Sequence, residues 1–191
     1  KELGDPADTS NGPIERIIKS VNKQTQFVNQ DYAEMVGFEL EARKNLSEHH
    51  QYLRGITVGA NYTWLESEIS VGTLESDLDG AGTRPLVGQS PYLFNFDITY
   101  NNSSLGLTTS IFYNIYGERL DSVSLSTGKN SEGLNTGPPN IYEQPVGTLD
   151  FMFSKELKEN WKLKFTAKNL LDPAVKKTYS YKGEEYVFSL Y

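Results

Sequence analysis

The sequence predicts an all-β protein: an antiparallel, up-and-down transmembrane β-barrel wall with short periplasmic turns and long extracellular loops. Three observations carry that prediction. Period-two alternation recurs along the chain with almost no helical periodicity beside it. One face of the alternation is apolar and the other is charged. The links between strands alternate between short and long, the layout of a barrel whose turns gather at one end and whose loops gather at the other.

The segment "WKLKFTAKNLLDP" at 161–173 poses the physical problem most sharply. Trp161, Leu163, Phe165 and Ala167 fall on one face, and Lys162, Lys164 and Lys168 on the other. A face carrying these lysines together with Glu39, Glu41, Arg43, Asp97 and Asp150 cannot be a dry core, because an unpaired buried charge costs several kcal/mol. That face must be wet or packed on another polar body. The Leu, Phe, Ile, Tyr and Ala face is then the one in lipid.

The strands follow in order. Residues 13–21 ("PIERIIKSV") form a weak strand opened by Pro13, where a missing N–H is tolerated. In "MVGFELEARKNL", Val36, Phe38, Leu40 and Ala42 oppose Gly37, Glu39, Glu41 and Arg43. In "ITVGANYTW", Ile56, Val58, Ala60, Tyr62 and Trp64 oppose Thr57, Gly59, Asn61 and Thr63. In "YLFNFDITY", Tyr92, Phe94, Phe96, Ile98 and Tyr100 oppose Leu93, Asn95, Asp97 and Thr99. "LGLTTSIFYNIYG" places Leu105, Leu107, Thr109, Ile111, Tyr113 and Ile115 on one face, and "GTLDFMFS" does the same with Leu149, Phe151 and Phe153. With 161–168 this makes seven strands. The links near 45–53, 101–104 and 155–160 are short and polar, whereas those near 70–87 and 122–144 are long and rich in Gly, Ser, Asp and Pro; only the link near 22–25 is out of step. Tyr62, Trp64, Tyr92, Tyr100 and Trp161 lie toward the ends of the apolar face, where a membrane interface selects aromatic rings.

Composition narrows the function. The 191 residues contain no Cys, so disulfide and thiol chemistry are excluded, and the net charge of −7 disfavours a nucleic-acid partner. No apolar run is long enough for a transmembrane helix, a limit that does not apply to barrel strands. Catalytic and metal motifs fail on inspection. His49 and His50 share a short turn without further ligands. "DLDG" at 77–80 lacks the Glu that would close a calcium loop, although loop carboxylates could still bind Ca²⁺. "GQSPY" is not a nucleophile elbow. The expectation is a protein that is not an enzyme and has no resident cofactor.

Six motifs carry a family resemblance: "PIERI" at 13–17, "GFELEARKNL" at 37–46, "GANYTWLESEI" at 59–69, "GQSPYLFNFDITY" at 88–100, "IYEQPVGTLDF" at 141–151 and "AKNLLDP" at 167–173. In their order and spacing the chain resembles the C-terminal part of the barrel of TonB-dependent outer-membrane receptors. The resemblance implies a barrel of roughly twenty-two strands in the bacterial outer membrane, occluded by an N-terminal plug and energised through TonB. It implies import of a scarce nutrient, whether siderophore, haem, cobalamin or oligosaccharide. The sequence shows neither plug nor TonB box and stops before the usual closing strand, so residues 1–191 are expected to be one portion of a larger barrel. Partners are then outer-membrane lipid, the receptor's own plug and TonB. Ligand contacts are expected on the loops, at Asp77, Asp79, Arg84, Tyr142, Glu143, Tyr179 and Tyr181. Plug contacts are expected at Glu39, Glu41, Arg43, Asp97, Asp150, Lys164 and Lys168. The alternative is a self-contained eight-stranded barrel, adhesin-like or enzymatic, with the tail "YSYKGEEYVFSLY" as its last strand; Gly59 and Gly106 favour the wider barrel, since a narrow one must fill its own lumen.

Overall fold

A computed structural model describes residues 32–190 apart from 49, 73–74, 76–81, 134, 159 and 182. The expected strand at 13–21, the link near 22–25, His49, Asp77 and Asp79 lie outside the described residues. None of the described helices is long and apolar enough to cross a membrane, so any crossing is made by strands.

Among the described residues thirteen strands follow one another: β1 (Ala33–Asn45), β2 (Ile56–Ser70), β3 (Thr83–Arg84), β4 (Tyr92–Asn102), β5 (Leu107–Tyr116), β6 (Arg119–Ser122), β7 (Gly128–Lys129), β8 (Asn135–Thr136), β9 (Ile141–Glu143), β10 (Val146–Lys158), β11 (Trp161–Ala167), β12 (Lys176–Tyr181) and β13 (Glu184–Leu190). The wall is an antiparallel sheet in the order β1-β2-β4-β5-β10-β11, with β3 beside the end of β2. Its register settles the faces. Ala42, Ala60, Phe96, Tyr113 and Leu149 stand in one cross-strand row, and Val58, Ile98, Ile111, Phe151 and Ala167 in another. Between these rows run Arg43, Gly59, Asp97, Phe112 and Asp150 on the opposite face. Because side chains alternate strictly along a strand, a slip of one residue would exchange the two solvents for every side chain at once, and the pattern therefore fixes the register.

The apolar face is uncovered: Phe38, Leu40, Ile98, Ile111, Leu163 and Phe165 are open to the surroundings, as befits a sheet whose hydrophobic side meets lipid. At one end of it Phe38 stacks on Trp64 with centroids 5.7 Å apart; at the other, Trp161 is exposed. The sheet has edges at β1 and β11 and does not close among the described residues.

The short turns are tied down locally. In the β1–β2 turn, His50 Nδ1 accepts from the Tyr52 amide and caps a one-turn 3₁₀ helix, Gln51–Leu53. In the β4–β5 turn, Asn102 caps a second, Ser103–Leu105, which ends at Gly106 in the left-handed region at φ 59°. A Cβ there would lie 2.9 Å from the Glu156 side chain, so only glycine fits both the turn and its neighbour.

The long links contain more order than their sequences announce. Beyond the wall, β5, β10 and β11 are prolonged by β6, β9 and β12, which with β13 make a second, four-stranded sheet in the order β13-β12-β9-β6. Between β11 and β12, Asn169 and Asp172 adopt positive φ (54° and 43°). Asn169 donates its amide to Asp150 Oδ1 at 2.8 Å, and Leu170 donates to the Leu149 carbonyl at 2.7 Å. The "NLLDP" segment is thus a bulge that ends one sheet and begins the next. The tail forms the β12–β13 hairpin and adds no strand to the wall.

Candidate functional site

The polar face of the wall presents an ion pair and an amide chain. Arg43 reaches from β1 across β2 to Asp97 on β4, donating from Nη2 to Oδ1 at 2.8 Å and from Nη1 to Oδ2 at 3.2 Å. It can do so because the residue between them in register is Gly59. A Cβ on Gly59 would come within 2.5 Å of Asp97 Oδ1 and 2.8 Å of Arg43 Nη2, so the glycine is the gap through which the pair closes.

Next to it, Asn114, Asn95 and Asn61 hand hydrogen bonds sideways across β5, β4 and β2 to Glu39 on β1. Asn114 Nδ2 donates to Asn95 Oδ1, Asn95 Nδ2 donates to Asn61 Oδ1 at 3.4 Å, and Asn61 Nδ2 donates to Glu39 Oε1. The carboxylate sets the direction. An ionised Glu39 can only accept, so Asn61 must offer its nitrogen, which leaves its oxygen for Asn95, and the choice propagates to Asn114. Thr99 and Ser110 continue the polar lining with an Oγ···Oγ contact of 2.9 Å.

Of the expected plug-facing residues, Glu39, Arg43 and Asp97 are therefore committed within the wall, and Asp150 holds the bulge at Asn169. Glu41, Lys164 and Lys168 are exposed, and their side chains make no hydrogen bond or ion pair among the described residues. These three are the charges the face holds out to whatever lies against it.

The expected ligand residues separate in a similar way. Arg84 is locked to Glu75 by two bonds, Nε to Oε2 at 2.6 Å and Nη2 to Oε1 at 3.0 Å, with both side chains largely buried. Glu143 lies on β9 and is buried; its Oε1 accepts from Tyr116 Oη at 2.8 Å and from Arg119 Nη2 at 2.6 Å. The Arg119 guanidinium rests 4.5 Å from the centre of the Tyr116 ring. Tyr142 lies half-buried on β9, in register with Leu120 and Thr178. Tyr179 stacks on Tyr186, centroids 5.4 Å apart and planes 15° from parallel, and Tyr181 is exposed at the hairpin end.

Sequence reasoning missed Tyr116, Arg119, Glu75, Asp121 and Lys177. The last two form an ion pair of 2.8 Å that fastens β6 to β12. No periodicity marks strands as short as β6 and β9, so their charge partners had no register from which to be inferred. The amide chain was accessible in principle, since Asn61, Asn95 and Asn114 occupy the polar parity of their strands.

An antiparallel wall with an apolar outer face, a charged inner face, short turns at one end and ordered loops at the other defines an outer-membrane β-barrel protein. The chain matches the family described as TonB dependent receptor-like, beta-barrel, over residues 3–170, and belongs to it. That family is one of transport barrels in the bacterial outer membrane, which places the 46–55, 103–106 and 158–161 turns on the periplasmic side and the second sheet on the extracellular side. No curated protein and no solved structure matches the chain.

Proposed function

We propose that residues 1–191 form the C-terminal portion of a wide receptor barrel, of roughly twenty-two strands, that imports a scarce nutrient with energy delivered through TonB and a plug. The observation that supports this reading is the division of labour on the inner face. Arg43–Asp97 and the Glu39 amide chain satisfy one another and stiffen the wall, whereas Glu41, Lys164 and Lys168 stay exposed without partners among the described residues. A partner held by such exposed, hydrated charges can detach and rearrange, because each contact exchanges readily with water. In this reading the plug is that partner, and no covalent step is required.

The ligand would be a siderophore, haem, cobalamin or an oligosaccharide, met at the extracellular sheet. Tyr142, Tyr179 and Tyr181 are the residues best suited to touch it, and Asp77 and Asp79 of the 70–87 link are proposed beside them. Arg84 and Glu143 would shape the site from behind, since their charges are already spent on Glu75 and on Tyr116 and Arg119. Loop carboxylates could add Ca²⁺. The test is growth of cells carrying the whole receptor under limitation for each nutrient class in turn, with and without TonB. Uptake of one class that disappears without TonB supports the proposal; uptake indifferent to TonB, or a closed barrel formed by these residues alone, overturns it.

A further inference from the structure

The outward face of the wall is apolar except at its rims, and the two rims carry opposite charge. At the loop end, Glu34 and Glu68 stand in register on β1 and β2 with Glu66 on the same face, an arrangement that repels a phosphate. At the turn end the charges are cationic. Lys155 stands in the lipid-facing row between Leu107 and Leu163, one on each neighbouring strand. After the β10 irregularity at Leu157, Lys158 pairs with Trp161 on that same face.

An ammonium group flanked by leucines is tolerable only at headgroup depth, where the cost of a lipid-facing lysine falls from about 2–4 kcal/mol to near zero. Lys155 shows how that depth is reached: its stem runs toward the β4–β5 turn and its Nζ donates to the Leu105 carbonyl. Two of its three protons are left to offer. The Lys158 side chain makes no hydrogen bond or ion pair among the described residues. Between the two turns opens a groove lined by Leu105, Leu157, Lys158 and Trp161, with Leu105, Leu157 and Trp161 each more than half exposed. Glu156 and Lys162 line the same groove and pair with each other at 3.6 Å, so the carboxylate in its lining is countered by a lysine beside it.

We infer that this rim is a docking site for an anionic phospholipid of the periplasmic leaflet. Lys155 and Lys158 hold the phosphate, and Trp161 with Leu105 and Leu157 takes the glycerol and first methylenes. The inference rests on the reading of this face as lipid-facing. Its consequence is that one bound lipid adds a tie between the β4–β5 turn and the β10–β11 turn, beside the β5–β10 ladder and the Lys155–Leu105 bond.

The experiment is native mass spectrometry of the whole receptor, purified in a non-ionic detergent, delipidated, and titrated with short-chain phosphatidylglycerol. Each lysine near an anionic headgroup contributes roughly a fivefold factor in affinity, so the Lys155→Gln, Lys158→Gln double variant is expected to bind about twenty-five-fold more weakly. Lys129→Gln on the extracellular β7–β8 hairpin should match the unmodified receptor. The Lys155→Arg, Lys158→Arg variant keeps the charge and should keep the lipid, and it serves as the folding control. Equal binding by the glutamine variant, or an equal loss from Lys129→Gln, overturns the site. Heat-modifiable mobility is scored on every sample: a receptor that never inserts as a closed barrel overturns the lipid-facing reading itself, which is a different result from an inserted barrel that ignores phosphatidylglycerol.

Discussion

Strands β5, β10 and β11 run through lipid and then continue as β6, β9 and β12 in water, and the two stretches are held together by different means. In the wall, Phe96 and Ile98 are exposed and Asp97 between them is satisfied by Arg43. Most residues there are matched to one of two solvents, Phe112 on the polar face being an exception. In the extracellular sheet Leu120, Thr178 and Glu143 are buried, neighbouring strands are fastened by Arg119–Glu143 and Lys176–Glu185, and Lys177–Asp121 ties β12 to β6 across β9. The wall is stabilised by partition between solvents, and the second sheet by particular pairs. Changing the solvent preference of one residue should therefore hurt the first, and removing one partner should hurt the second.

The largest effect is expected from Phe96→Lys. It places an ammonium group in the middle of the lipid-facing rows, opposite Ala60 and Tyr113, at a cost of about 2–4 kcal/mol near the bilayer midplane. Thr63→Lys puts the same side chain on the other face of β2, in register with Glu39, and should be nearly neutral. Denaturant unfolding of the barrel in vesicles, read by heat-modifiable mobility, compares the two. Equal losses would mean that the faces are not in different solvents.

In the second sheet, Glu143→Ala removes the acceptor shared by Tyr116 and Arg119. Hydrogen bonds involving a charged group are worth about 1.5–3 kcal/mol, and Arg119 keeps enough exposure to recover part of this in water. Amide hydrogen exchange should accelerate in β6, β9 and β12 while β1 and β2 stay protected. Loss of protection across the whole wall would show that the two sheets are one cooperative unit.

That contrast also explains what could be read from the sequence. The β1, β2, β4, β5, β10 and β11 positions were legible because lipid and water impose a period of two on every strand that spans them, and loop-length sorting supplied the direction. The faces of Glu39, Arg43, Asp97 and Lys164 followed. Nothing comparable acts on β6 or β9, three or four residues long, so "ERLDS" and "IYE" carry no visible alternation and Arg119–Glu143 could not be anticipated. In the sequence Gly59 shows only a small residue suited to a wide lumen; its sharper role, letting Arg43 reach Asp97, needs the register of three strands at once.

Gly59→Val tests that role within the wall. An exposed ion pair contributes little, about 0.2–1 kcal/mol, and Arg43 is more than half exposed, so the stability loss should stay near that range once Arg43 swings aside. The informative quantity is the coupling. In an Asp97→Asn background Gly59→Val should cost distinctly less than in the unmodified chain, because the pair it obstructs is already gone. Identical costs in the two backgrounds would mean that the valine is resisted by the strand backbone and that the gap has no bearing on the pair.

The smallest effect belongs to the β12–β13 hairpin, which depends on neither solvent partition nor a buried charge. Tyr186 donates its hydroxyl to Glu184 Oε2 at 2.7 Å and stacks on Tyr179. The hydrogen bond to Glu184 is the main reason its phenol is pushed above the ordinary tyrosine range, followed by desolvation of the ring and the neighbouring Tyr179 and Tyr181 phenols. A group whose folded pKa is raised contributes stability that is present below its unfolded pKa and fades as pH climbs through the folded one. The hairpin contact should thus persist at neutral pH and loosen in the alkaline range as the phenolate forms beside the carboxylate. Ring resonances of Tyr186, followed by NMR through that range, should titrate late in the unmodified protein and earlier in Glu184→Gln, where a neutral amide no longer opposes the phenolate. Unchanged titration in Glu184→Gln would shift the cause to the stacked rings, and the hairpin would then be held by aromatic contact alone.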